Sequence, residues 1–128
     1  MIRTVVASKR TVIRNALRVL AESDPGVVVV GEASDEPEVA DISDHFGPDV
    51  ILVDISSQGF EMFRIFRERC PGIILIADER TALLRTAGSA PFSTVDANAP
   101  ASELTNTIRS VFDRLRQSAS RKLNGTNA

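Results

Sequence analysis

The stretch Gly47-Pro48-Asp49-Val50-Ile51-Leu52-Val53-Asp54-Ile55-Ser56-Ser57-Gln58-Gly59 decides the fold. Its centre, Val50 to Val53, is apolar and rich in β-branched side chains, and turn residues bound it at Gly47-Pro48 and at Gly59. Such a run reads as a strand buried on both faces. Asp54 closes it, so the carboxylate is predicted at the carboxyl end of the strand, the edge where parallel α/β sheets place their chemistry.

Working outward, the flanking segments repeat the same alternation. Toward the amino terminus, Ile2 to Ala7 is a second buried-type strand, followed by Val12, Ile13, Ala16, Leu17, Val19 and Leu20 at the three- and four-residue spacing of a helix. Ser23-Asp24-Pro25-Gly26 is a turn, and Val27 to Ala33 reads as a strand. Pro37 suits the first turn of the next helix, which carries Val39, Ile42 and Phe46 on one face until Gly47-Pro48 stops it. Beyond Asp54, the residues Phe60, Met62, Phe63, Ile65 and Phe66 predict a third helix, ended by Cys70-Pro71-Gly72. Ile73 to Ala77 is then a fourth strand. Between Asp78 and Ala99 the pattern weakens; it predicts a short fourth helix within Thr81 to Ala87 and a fifth strand around Phe92 to Val95. Leu104, Ile108, Val111, Phe112 and Leu115 pattern a last helix after Pro100. From Ser118 the chain is polar and aperiodic, so a domain over 1–117 is expected, with 118–128 as a tail or the start of a linker. There is no internal repeat.

Strands alternating with helices imply a doubly wound α/β architecture: a five-stranded parallel sheet with right-handed crossovers, order 2-1-3-4-5 and helices on both faces. The switch point of that order lies between the first and third strands. It gathers Ser8, Lys9 and Asp54 around one crevice.

Composition sets the outer bounds. At 128 residues the chain fits one domain, at the usual ~150 residues each. Fifteen basic side chains against 17 acidic ones leave a net charge of -2, which argues against a nucleic-acid surface on this segment. One cysteine, Cys70, permits no internal disulfide and no zinc spacing, and it reads as a packing residue at a helix end. The opening Met1 to Ala7 is wrongly built for a signal peptide, and no apolar stretch approaches ~18 residues, so a cytoplasmic protein with no membrane span is expected. Asn124-Gly125-Thr126 matches a glycosylation acceptor, a reading that lapses without a secretory signal.

Four segments, taken in order, carry a resemblance. They are Ile2 to Ala7; Ser23-Asp24-Pro25-Gly26 running into Val30-Gly31-Glu32-Ala33-Ser34-Asp35; Gly47-Pro48-Asp49 through Asp54-Ile55; and Ala99-Pro100-Ala101-Ser102-Glu103-Leu104. Over about residues 1–116 the chain resembles the receiver domains of two-component response regulators, particularly those attached to LuxR-type DNA-binding domains. The resemblance implies a flavodoxin-like (CheY-like) fold. It implies that Asp54 matches the aspartate that accepts a phosphoryl group from a histidine kinase, beside a magnesium ion held by acids after the first strand.

Those acid positions are Ser8 and Lys9 here. Where the family has a hydroxyl at the end of the fourth strand, this chain reads Ile76-Ala77, and where it has a lysine after the fifth, the match falls near Ala97. No lysine stands between Lys9 and Lys122, and Gln58 replaces the family's proline. Magnesium requires near-octahedral oxygen ligands at ~2.0 to 2.1 Å, so one carboxylate predicts weak or absent binding and no cofactor. Phosphoryl transfer depends on positioned charge, so losing the metal ligands and the lysine together removes most of its catalysis. The pocket is thus predicted to be Asp54 with Ser8, Lys9, Ile76, Ala77 and Ala97. Asp54 is the phosphoacceptor position, there is no metal ligand set, and no catalytic residue or enzyme activity is expected.

Plainer readings stand beside these. Asp54 can simply end a strand and pair with Lys9, the partner expected to hold it, because a buried carboxylate needs partners whatever its function. Ser8 and Lys9 can be the N-cap and first turn of the first helix. His45, the sole histidine, reads as a solvated or capping residue far from the crevice. Arg109, Arg114, Arg116, Arg121 and Lys122, interspersed with Asp113, read as a solvated helix face.

The leading expectation is an atypical receiver domain in phosphorelay signal transduction, regulating transcription through protein contacts without magnesium-dependent phosphorylation. A working phosphoacceptor using Asp54 is the alternative. A flavodoxin-like ligand-binding domain or small enzyme is a third, disfavoured because Ser8-Lys9-Arg10-Thr11 stands where a glycine-rich loop belongs. The implied partners are another protein or a second copy of the chain, and a histidine kinase; DNA is reached only through a downstream domain outside this chain. A homodimer would use the face of the fourth helix, fifth strand and last helix, where Leu83, Leu84, Ile108, Phe112 and Leu115 matter only if exposed.

Overall fold

The computed structural model describes residues 1–55, 72–77 and 93–125, with side chains to Ser120. Five parallel strands are present: β1 (Ile2–Ala7), β2 (Val27–Ala33), β3 (Val50–Asp54), β4 (Ile73–Ala77) and β5 (Ser93–Asp96). They lie in the order β2-β1-β3-β4-β5, every pairing parallel, which is the doubly wound order expected. Three helices are described: α1 (Thr11–Ala21), α2 (Glu36–Phe46) and α3 (Ala101–Gly125). The helices expected over Phe60 to Phe66 and Thr81 to Ala87 lie outside the described residues, as do Cys70, Leu83, Leu84 and Phe92.

The apolar residues divide into two layers, as alternation along buried strands requires. Val5, Ala7, Ile51, Val53, Ile73 and Leu75 face one side, where Val39 of α2 packs with Ile42 at its margin. Val6, Val50, Leu52, Ile74 and Ile76 face the other, against Leu17 and Ala21 of α1 and Leu104, Ile108 and Val111 of α3. Ile108 is fully buried, and Phe112 and Leu115 pack against this layer, so these three belong first to the core. Val12 and Val19 do not: they are 77% and 71% exposed on the outer face of α1.

The ends of α2 follow from local chemistry. Asp35 accepts a hydrogen bond from the Glu38 amide at 2.9 Å, Pro37 lies in the first turn, and Gly47 closes the helix in the left-handed region at φ 54°. The last helix runs further than the apolar pattern. The polar residues from Ser118 to Gly125, expected as tail, continue α3. Arg116 lies over the Phe112 ring at 5.6 Å, and Ala119, Arg121, Lys122 and Leu123 are good helix formers in the added turns. Among the described residues no helix is long and apolar enough to cross a membrane.

Candidate functional site

Register places the site. Ala7 pairs with Val53 across β1 and β3, so the next residues, Ser8 and Asp54, meet where the two strands end. In the alternation Ser8 follows Val6 and Asp54 follows Leu52, and Val6 and Leu52 both belong to the layer under α1 and α3. Both polar side chains therefore leave the sheet on the α1 side. Ser8 is fully buried and Asp54 is 2% exposed.

A buried carboxylate at a strand end needs compensating donors, and the chain after β1 supplies them. Ser8 Oγ donates to Asp54 Oδ2 at 2.7 Å. The Arg10 guanidinium donates to the same oxygen through Nη2 at 3.1 Å, forming an ion pair whose arginine side chain is 57% exposed. Ser8 Oγ in turn accepts the Arg10 backbone amide at 3.1 Å, so serine and arginine are fixed to each other as well as to the acid. One turn further along, Arg14 Nη1 donates to the Ser8 carbonyl at 2.8 Å, and Arg14 Nε lies 3.8 Å from Glu32 at the end of β2. Arg18 reaches Glu32 at 3.2 Å and pairs with Glu22, so arginines at four-residue spacing run from the crevice along α1. Its glutamate partners hold the Arg18 guanidinium above its ordinary pKa, the hydrogen bond it donates to Glu22 contributing most.

Two expectations change here. Lys9 does not hold Asp54: it is exposed and pairs with no acid among the described residues, and Arg10 takes the role instead. The reason is backbone geometry. Arg10 is the extended residue before α1, at φ -95° and ψ 119°, and from there its longer side chain turns back over the strand ends. Ser8 is not the N-cap of α1 either, because the helix begins at Thr11 and Arg10 occupies the cap position without a side-chain cap bond. Ser8 satisfies an amide just upstream of the helix.

The remaining predicted positions line the neighbouring strand ends. Ile76 pairs with Asp54 across β3 and β4, and its carbonyl accepts the Ile55 amide at 3.0 Å. Ala77 is buried and pairs with Asp96, while the exposed Ala97 follows β5 and donates its amide to the Ala77 carbonyl at 3.1 Å. No hydroxyl or ammonium stands at these three positions. His45 is exposed at the far end of α2, edge-on to Phe46 at 4.6 Å between centroids. Sequence reasoning missed Arg10. The signal available was the run Ser8-Lys9-Arg10 itself, in which arginine's planar fork suits a carboxylate better than lysine's point charge.

Among the described residues no group of three or more His, Cys, Asp or Glu side chains is arranged to hold a metal ion. At the crevice the described donors are one carboxylate and one hydroxyl, with a guanidinium already on the carboxylate.

No family model matches the chain. It is 31% identical over 70 residues to the transcriptional regulatory protein LiaR of Bacillus subtilis, a match that covers 55% of this chain and 33% of LiaR. The chain thus spans about a third of that relative's length. Among solved structures it is similar to the REC domain of AraT, a response regulator from Geobacillus stearothermophilus, with a TM-score of 0.74 and 21% identity over 93% of this chain and 99% of that one. It is also similar to a chain from the complex of the CheA3 P1 domain with CheY6 from R. sphaeroides, with a TM-score of 0.72 and 18% identity over 87% of this chain and 96% of that one. The architecture these structures share with it, a five-stranded parallel sheet in the order 2-1-3-4-5 with helices, leads to one assignment. This chain has the receiver-domain fold of two-component response regulators.

Proposed function

We propose that the chain is an atypical receiver domain that acts in signal transduction through protein contacts, with magnesium-dependent phosphorylation of Asp54 dispensed with. One observation carries this reading: Asp54, at the phosphoacceptor position, is tied to Ser8 and Arg10, the first of which stands where the family has an acid. Magnesium is a hard cation that takes oxygen ligands and repels a guanidinium, so this donor set suits it poorly. A single tethered cation does not bridge phosphoryl and carboxylate oxygens, nor does it organise a leaving group.

The output in this reading is transcriptional, as the likeness to LiaR suggests, and it is exerted on DNA through a domain outside this chain. The contacts are with a second copy or another protein in the cytosol. A histidine kinase serves here as a docking partner without phosphoryl transfer to Asp54, and among the similar structures CheY6 is in complex with the P1 domain of CheA3.

Incubation with acetyl phosphate, and separately with beryllofluoride, each with and without magnesium chloride, tests the reading by intact mass and by amide chemical shifts. No Asp54-dependent change is expected. A mass gain of one phosphoryl group that Asp54→Asn abolishes sinks it.

A further inference from the structure

We propose that Arg10 is a built-in counter-cation that closes the Asp54 crevice to divalent metal, which rests on the reading of this crevice as a receiver pocket and assigns its arrest to one side chain. Missing acids alone would leave a weak metal site. The geometry describes an occupied one. Arg10 Nη2 and Ser8 Oγ converge on a single oxygen, Asp54 Oδ2, at 3.1 and 2.7 Å, and the Arg10 amide returns to Ser8 Oγ at 3.1 Å. Arginine, serine and aspartate therefore form a closed ring of hydrogen bonds, anchored at both the backbone and the side chain of Arg10.

Three properties make this residue an effective block. A guanidinium stays protonated at every accessible pH, so its charge is permanent. It is tethered two residues from Ser8, so it competes with dissolved cations at an effective concentration on the order of mM or more. Behind it Arg14 donates to the Ser8 carbonyl at 2.8 Å, which fixes the same backbone and adds a second positive charge at the strand end. A metal entering to bind Asp54 must displace the first guanidinium and sit near the second.

The assignment separates the contribution of Arg10 from that of the absent acids. Magnesium chloride, titrated to about 20 mM, is followed through the Asp54 and Ile55 amide shifts and through Tm in five proteins: the natural chain, Ser8→Asp/Lys9→Asp, the same pair with Arg10→Ala, and Lys9→Asp/Arg10→Gln against Lys9→Asp. The natural chain is expected to show no saturable response. Restoring both acids while Arg10 remains is expected to give weak binding, and removing Arg10 as well to tighten it about tenfold or more. Equal magnesium affinity with and without Arg10, or saturable binding by the natural chain, overturns the proposal. Where two acids beside Asp54 prevent folding, the Lys9→Asp pair keeps Ser8 in place and gives the same comparison, and an unchanged affinity there overturns it equally. Phosphoryl gain by a natural chain that binds no magnesium would end the proposed function and leave the Arg10 assignment standing. Equal affinities in the variant pairs would do the reverse.

Discussion

Ser8 and Arg10 share one carboxylate oxygen but differ in burial, and the difference ranks them. Ser8 is fully buried, so Ser8→Ala removes a hydrogen bond to a charged group and leaves Asp54 short of a donor that water does not readily replace. A loss of about 2 kcal/mol is expected for it. The Arg10 side chain is 57% exposed, and solvent screens its pairing with Asp54, so Arg10→Ala is expected to cost about 1 kcal/mol or less. Asp54→Asn keeps the shape and removes the charge that both donors serve. Urea unfolding of the three variants and of the Ser8→Ala/Arg10→Ala double variant checks the order. Because the two side chains meet on one atom, the double variant should depart from additivity. Additive losses, or an arginine that costs more than the serine, would contradict the ring of bonds described.

At the scale of elements, two glycines show which packing can yield. A Cβ on Gly72, just before β4, would collide with the Asp49 carbonyl oxygen, which is backbone and cannot step aside. A Cβ on Gly31 in β2 would meet Ile42 Cγ2 at 2.6 Å, a side-chain methyl on α2 that can shift. Gly72→Ala is therefore expected to cost about 3 kcal/mol and Gly31→Ala about 1 kcal/mol, with Ile42→Ala relieving part of the second loss and none of the first. Thermal unfolding of the three single variants, and of Ile42→Ala combined with each glycine substitution, reads this directly. The elements that carry these contacts were legible in the sequence because burial writes itself as period. Ile2 to Ala7, Val27 to Ala33 and Val50 to Asp54 match their strands in full; the alternation implied a parallel sheet, and its order 2-1-3-4-5 followed from the doubly wound arrangement usual for a small domain. What lay outside the periodic signal was harder to read. The turns of α3 from Ser118 to Gly125 bear no apolar stripe, so their helical character rests on intrinsic propensity and on continuation from a nucleated helix. The partner of Asp54 was misassigned by one residue, from Lys9 to Arg10, because side-chain reach depends on the φ and ψ of a single linking residue and on no repeating pattern.

Across the whole molecule, the ion pair between Arg109 of α3 and Asp24, in the turn between α1 and β2, joins residues 85 apart in the chain. It is bidentate. Arg109 Nη2 reaches Asp24 Oδ1 at 2.6 Å while Nε meets Oδ2, and the same Asp24 Oδ1 accepts the Gly26 amide at 2.8 Å. The Gly26 carbonyl then accepts the Ile2 amide at 2.7 Å, so α3 is tied through this turn to the start of β1. The Arg109 hydrogen bond, and after it the Gly26 amide, lower the Asp24 pKa from the ordinary 3.8 to about 2. Asp24 in turn raises that of Arg109, a change without effect at accessible pH because the guanidinium is charged throughout. A carboxyl whose folded pKa is depressed adds stability that is complete above its unfolded value and disappears as pH falls through its folded one. The window for this pair thus runs from about pH 4 down to about pH 2. Other carboxylates titrate over the same range, so the informative quantity is the difference between the natural chain and Arg109→Met. That difference in urea midpoint should hold steady from neutral pH to about pH 4 and close as pH approaches about 2, because protonated Asp24 no longer distinguishes arginine from methionine by charge. A gap that stays constant over the whole range would mean that Arg109 contributes through the packing of its stem and not through the ion pair.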